Sequence, residues 1–268
     1  MTPPGAGDCR EGDIAARRGR PATPNAARSV RWRRLLLRAL LTITVTVIAL
    51  VAAAAGFLLS LPGVADAPQR VATILAEHHS SPTRRPLPGK LAAAVVAVED
   101  EHFYANPAID VLDGAGRAAV AALSAGGDPG GSTIAQQLAG ELYGRQAGLG
   151  GTLTEIGVGV KLALTYPRTQ ILDMYLNVVY YGNGYWGAAA AARGYFGTSA
   201  NALDWAQAAL LAGLPQAPSA YDPKTHLALA KARQRHVLDQ LVANHLLTTA
   251  QASAAYREPL RLRQHPAS

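Results

Sequence analysis

The sequence predicts a mostly α-helical domain preceded by a single transmembrane helix, and three observations carry that prediction. Apolar residues recur at spacings of three and four over most of the chain after residue 90. No convincing run of apolar/polar alternation with hairpin turn signals interrupts them. Residues 35–61 form a Leu-, Ile-, Val- and Ala-rich run of 27 residues whose only charge is Arg38. As a helix such a run extends ~40 Å, enough to cross the hydrocarbon core of a bilayer with some tilt.

Totals set the outer bounds. A chain of 268 residues, 49% hydrophobic, is long enough to bury a substantial core in one large domain or two small ones. The formal net charge of +7 is unevenly distributed. In residues 1–34 eight arginines face only Asp8, Glu11 and Asp13, a net +5, whereas residues 62–268 are close to neutral. No basic groove with interleaved aromatics is present, which argues against nucleic acid as a partner. The single cysteine, Cys9, lies in the basic tail, so the chain builds neither an intrachain disulfide nor a cysteine metal site.

Residues 1–34, rich in Pro, Gly, Ala and Arg, read as a disordered basic arm. Residues 35–61 read as the span. Ala53-Ala54-Ala55-Gly56 would suit a signal peptidase, but the apolar run continues past it through Phe57-Leu58-Leu59, which favours an uncleaved anchor. Arginines crowd the N-terminal flank, so the positive-inside rule places the tail in the cytoplasm and the rest outside the membrane. Residues 62–89 read as a linker with one short amphipathic helix, and residues 90–268 as the working domain. His78-His79 reads as loop rather than a metal pair, since no further ligand falls at metal spacing.

Within the domain, the apolar run 93–98 ends in Glu99-Asp100-Glu101, followed by a helix near residues 115–124 and a Gly-rich loop at 126–131. Thr133 with Gln136 has the form of a capping box, opening a helix with Ile134, Leu138 and Leu142 on its core face. A second glycine-bearing loop at 144–151 precedes a helix carrying Ile156, Val160 and Leu164 and ended by Pro167. Helices near 169–179, 187–195, 203–213, 227–244 and 250–258 complete the chain, with a turn at Gly182-Asn183-Gly184.

Two carboxylates occupy distinctive places. Glu99 stands where a buried run meets water, a setting that raises a carboxyl pKa through desolvation and the neighbouring Asp100 and Glu101. Glu155 follows the second loop. Paired carboxylates on separate elements suit chemistry at a sugar acetal carbon, one acting on the nucleophile and the other on the leaving group. Each also has a structural reading: Glu99 as the solvated end of a helix, and Glu155 as the closing member of a capping box beginning at Thr152. Gln136-Gln137 would likewise serve as a polar helix face, and Asn177 and Asn183 as turn or cap residues.

The order of the pieces adds to this. Glu99-Asp100-Glu101-His102-Phe103-Tyr104, then Gly130-Gly131-Ser132-Thr133-Ile134-Ala135-Gln136-Gln137, Glu155, Tyr175-Leu176-Asn177-Val178-Val179-Tyr180-Tyr181-Gly182, and Leu210-Leu211-Ala212-Gly213-Leu214-Pro215 resemble the peptidoglycan glycosyltransferase family. The resemblance runs from about residue 90 to residue 223. It implies a lysozyme-like helical fold on a membrane anchor, polymerising lipid II outside the bacterial cytoplasmic membrane. Glu99 matches the family's base, which deprotonates the acceptor 4-hydroxyl for attack on the anomeric carbon with inversion. Glu155 matches the glutamate on the donor side, acting on the departing undecaprenyl pyrophosphate directly or through a divalent cation, Mg2+ or Mn2+. Asp100, Ser132, Thr133, Gln136 and Gln137 match substrate-binding polar positions, and Lys161 a commonly basic one. Lipid II, the growing glycan strand and wall-synthesis or division proteins are the implied partners. No Ser-x-x-Lys occurs, so the expected enzyme is monofunctional, without a transpeptidase site.

Departures fall on positions that meet phosphate. The resemblance leads one to expect a His-Gly near Asn106, a lysine at Gly140 and an Arg-Lys pair at Gly151-Thr152. Arg145, Lys161 and Arg168 are the candidate substitutes. Two functions from different classes are then open: an active polymerase with altered phosphate contacts, or a non-catalytic lipid-II-binding or wall-synthesis scaffold. A lysozyme-like hydrolase fits the flanking motifs less well.

Overall fold

The structure, a computed structural model, describes residues 25–104, 133–145 and 147–263. It divides into two compact units, Met1–Ala54 and Ala55–Ser268. The first contains the greater part of helix α1 (Asn25–Ser60), of which Trp32–Ser60, 29 residues, is long and apolar enough to cross a membrane by length and composition. Its leucines and isoleucines from Leu35 to Leu50 are exposed. The helix starts ten residues before the apolar run, inside the stretch expected as an arm, because the intervening Ala and Arg are themselves strong helix formers.

The second unit is built of helices: α2 (Ala67–Glu77), α3 (Gly89–Glu99), α4 (Ile134–Tyr143), α5 (Gly148–Thr165), α6 (Arg168–Val178), α7 (Ala188–Phe196), α8 (Trp205–Gly213), α9 (Leu227–Ala243) and α10 (Thr249–Arg257), with a 3-10 turn at Ala200–Ala202. Among the described residues the only β pairing is an isolated bridge between Tyr180 and Trp186. The mostly α fold expected from the sequence is what the chain adopts. The expected helix near 115–124, the loop at 126–131, Asn106 and Ser132 lie outside the described residues.

Sequence chemistry accounts for the elements locally. Thr133 and Gln136 form the anticipated reciprocal capping box on α4, and Asp204 with Gln207 and Thr248 with Gln251 do the same on α8 and α10. Helix α3 buries Leu91, Ala92, Ala94, Val95, Val96 and Ala97, positions that go round the helix, so α3 is central rather than amphipathic. It packs against α8 and α9, while α4 packs against α5 and α6. Helix α2, expected within a linker, turns Ala67, Val71 and Leu75 into the core and rests on α6. It therefore belongs to the domain. Asn177 ties the segment after α2 to α6: its Oδ1 accepts from the Thr83 amide at 2.7 Å and its Nδ2 donates to the Asp173 carbonyl at 2.8 Å. Asn183, in the predicted turn, donates to the Tyr195 hydroxyl and to Asp222.

Candidate active site

Glu99 is the last residue of α3, and its side chain is 11% exposed. The helix stops there because Asp100 takes φ −161°, ψ 78°, leaving the apolar run buried behind it and the acids at its end. Asp100 turns to α4, where its Oδ2 accepts from the Ile134 amide at 3.2 Å, a carboxylate placed at a helix N-terminus. Glu99 Oε2 accepts from Gln137 Nε2 at 2.7 Å. The orientation of that amide is fixed in turn by the Tyr175 hydroxyl, which donates to Gln137 Oε1 at 2.8 Å. Tyr175 is fully buried, and burial, followed by the Glu99 charge, holds its phenol well above the ordinary range, so it remains a donor.

Glu155 sits differently from the sequence expectation. Helix α5 begins at Gly148, so Glu155 lies well inside it and Thr152 is no N-cap. The Thr152 and Thr154 hydroxyls instead donate back to the carbonyls of Gly148 and Gly150, 3.3 and 2.9 Å away. Gly151, in the first turn of this helix, is buried. Glu155 is half-buried. Desolvation pushes its carboxyl above the usual carboxylate range; Arg145 opposes the shift and Glu141 adds to it.

Helix α4 connects the two carboxylates. Gln137 reaches Glu99, and three residues on, Gly140 faces Glu155: a Cβ at Gly140 would stand 3.6 Å from the Glu155 carboxyl carbon. Positions three apart share a helix face, so α3 and α5 deliver their glutamates along one side of α4. The space a Gly140 side chain would fill is taken by Arg145, whose Cγ and Nε lie 3.1 and 3.3 Å from that Cβ position. Arg145 Nη2 also donates to Glu141 Oε1 at 3.0 Å.

Residues 68–242 match the family model described as Transglycosylase. The chain belongs to the transglycosylase family. A Cupriavidus necator protein named as a transglycosylase is 39% identical over 178 residues, which is 66% of this chain and 77% of that protein. Penicillin-binding protein 1A of Neisseria flavescens is 37% identical over 175 residues, 65% of this chain and 22% of that protein. Penicillin-binding protein 2D of Bacillus subtilis is 38% identical over 172 residues, 63% and 25% respectively. The chain thus spans about a quarter of the penicillin-binding proteins it resembles and most of the other transglycosylase.

As a transglycosylase, the chain brings some expected site residues together and engages others elsewhere. Glu99, Asp100, Gln137 and the capping pair Thr133 and Gln136 gather where α3 meets α4. In that pair the Gln136 carbonyl oxygen is engaged by the Thr133 amide at 3.0 Å, so Gln137 is the member that reaches the carboxylate. Lys161, expected at substrate, donates to the carbonyls of Leu61 and Pro62 at 2.8 and 3.0 Å and fastens α5 to the chain just after α1. Arg168 lies over the Phe103 ring, 5.5 Å from its centroid. Among the described residues no group of three or more His, Cys, Asp or Glu converges on a metal position. Glu155 and Glu141 lie near one another with Arg145 beside them. One residue beside Glu99 escaped the sequence reading: Arg233 of α9, with Nη2 3.8 Å from Glu99 Oε1. The available signal was a basic residue on the stripe Ala230, Gln234, Val237, Leu241 that α9 turns inward.

Proposed function

We propose that the chain is a membrane-anchored peptidoglycan glycosyltransferase that polymerises lipid II. One observation carries the reading: two glutamates flank one face of α4 in opposite surroundings. Glu99 receives an amide donor and faces a guanidinium, which favours the carboxylate form of a base. Glu155 is pushed towards the protonated form of an acid. Carboxyl groups whose environments separate their protonation in this way divide the roles of base and acid. Glu99 takes the proton from the 4-hydroxyl of the acceptor's N-acetylglucosamine. The oxygen attacks the anomeric carbon of the donor's N-acetylmuramic acid as the bond to undecaprenyl pyrophosphate breaks, and the configuration inverts. Glu155 hydrogen-bonds or protonates the departing oxygen. Arg145, lying in the space above Gly140, supplies positive charge at the leaving group, where a bound Mg2+ or Mn2+ would add further neutralisation.

A polyprenyl-linked substrate is confined to a bilayer, and two features suit that location. Trp32–Ser60 is long and apolar enough to span it. On α5, Leu149, Leu153 and Leu164 are more than half exposed on one face, with half-buried Ile156 and Val160 between them. The arginine-rich flank supports a topology with the N-terminus inside and the catalytic domain outside. A monofunctional polymerase, working beside other wall-synthesis proteins, is the form we assign.

Gly140, Gly151 and Thr152 lack the positive charge the resemblance implies at those positions, and this favours a second reading as a non-catalytic scaffold that binds lipid II. Polymerisation of fluorescent lipid II by the detergent-solubilised full chain with divalent metal separates the two. Glycan from wild type and none from Glu99→Gln supports the enzyme; lipid II bound without glycan from wild type supports the scaffold. Shortening of finished glycan would instead indicate a hydrolase.

A further inference from the structure

A guanidinium does not shed its proton at any working pH, so an arginine removed from water must face a counter-charge. Arg233 is such a residue. Its side chain is 13% exposed, and the acid it faces is Glu99, itself 11% exposed. Two helices shape its path. From α9 it crosses Gly213 at the end of α8, donating from Nε to the Gly213 carbonyl at 3.4 Å. A Cβ at residue 213 would stand 2.7 Å from Arg233 Cγ, closer than real Cβ contacts come, so only glycine leaves this route open. The Glu99 oxygens are thereby divided: Oε2 takes the Gln137 amide and Oε1 faces the guanidinium.

We infer that Arg233 is a positioning residue for the base: set against Gly213, it keeps the Glu99 carboxylate ionised and fixed between the guanidinium and the Gln137–Tyr175 pair. The inference rests on the reading of Glu99 as the base. Around Glu99, Tyr175 and Tyr181 are phenols kept neutral by burial. Helix α8 and the 3-10 turn, both packed on α3, carry no ionisable side chain; α9, which also packs on α3, carries Lys231, Arg235, His236 and Asp239 besides Arg233, and of these Lys231 and Arg235 lie over the Tyr256 ring. Asp100 is turned to the α4 N-terminus and Glu101 lies beside His102, so the near acids would raise the proton affinity of Glu99 and Arg233 opposes them. At 3.8 Å the contact is an ion pair rather than a directed hydrogen bond, so its effect depends on charge more than shape. A cation this near a carboxylate favours its ionised form.

The test is the pH profile of kcat/KM for lipid II polymerisation by the full chain in detergent, with thermal unfolding measured beside it. Arg233→Gln should move the acid limb upward by about one unit or more, while Arg233→Lys, keeping the charge, should leave it within a few tenths. Gly213→Ala should move it the same way as Arg233→Gln, because it displaces the guanidinium without altering any ionisable group. That variant also carries the test if Arg233→Gln is too slow to profile. Acid limbs coinciding with wild type in Arg233→Gln and Gly213→Ala, with Glu99→Gln inactive, would overturn the inference while leaving Glu99 as the base. Polymerisation by Glu99→Gln at the wild-type rate would overturn both.

Discussion

Arg145→Ala is the substitution that bears most directly on whether this cleft still neutralises a leaving pyrophosphate. Arg145 lies over Gly140, beside the Glu155 carboxyl and bonded to Glu141. Two unit charges ~4 Å apart interact by about 1 kcal/mol in water and about 4 kcal/mol at the effective dielectric of a protein surface. The Arg145 side chain is 61% exposed, so the weaker end applies. A loss of about 1–2 kcal/mol of transition-state stabilisation corresponds to a kcat ~5- to 30-fold lower. The assay is steady-state polymerisation of fluorescent lipid II, with kcat and KM determined separately. Gly140→Lys alone should gain little, because its side chain and Arg145 claim the same space. In the Arg145→Ala background the lysine should recover most of the loss, a non-additivity read from the double-mutant cycle. Arg145 also holds down the Glu155 proton affinity, so Arg145→Ala should shift the alkaline limb of the kcat profile upward. A kcat within twofold of wild type and an unmoved alkaline limb would refute the placement of this cation at the leaving group.

The same geometry sets three further outcomes. Glu155→Gln should abolish or greatly slow turnover yet stabilise the fold at pH 7–8, by less than about 1 kcal/mol as expected for a partly exposed charge. The carboxyl is raised in the folded state, so its ionised form costs stability above that raised value; below the ordinary carboxylate pKa both states are protonated and the gain disappears, which thermal unfolding across pH will show. Tyr175→Phe removes a buried donor to Gln137 at 2.8 Å, and unfolding measurements should register a loss of about 1–2 kcal/mol, with kcat falling further than KM changes. Lys161→Met leaves the carbonyls of Leu61 and Pro62 without their donor and should cost roughly 1–3 kcal/mol of stability, while KM for lipid II stays near wild type if the lysine does not touch substrate.

Features that depend on near neighbours in the chain could be read from the amino acids alone. The boundaries of α4, α6, α9 and α10 fell within about two residues of expectation, because capping boxes, prolines and apolar spacing are local signals. The same local reasoning misplaced the start of α5. Thr152 to Glu155 has the same form as Thr133 to Gln136, yet the helix there already runs from Gly148, a start that the local residues do not signal. Lys161 was legible only in part, and Arg233 not at all, for the same reason. Their partners are about a hundred residues away or more, and a basic side chain has the same character in sequence whether it meets phosphate, a backbone carbonyl or a carboxylate. The two glutamates, by contrast, were singled out through the order of five motifs, a signal that does not depend on knowing their contacts.

The three-residue interval between Gln137 and Gly140 sets a constraint on length rather than on composition. Each residue added to an α-helix rotates the rest of that helix by ~100° about its axis. A single insertion or deletion between these positions would carry the seat of Glu155 to a different side of α4 from the residue that holds Glu99, even if every side chain named here were kept. Between Gln137 and Gly140 the number of residues, as much as their identity, therefore acts as a gauge for the spacing of the two glutamates we propose as base and acid.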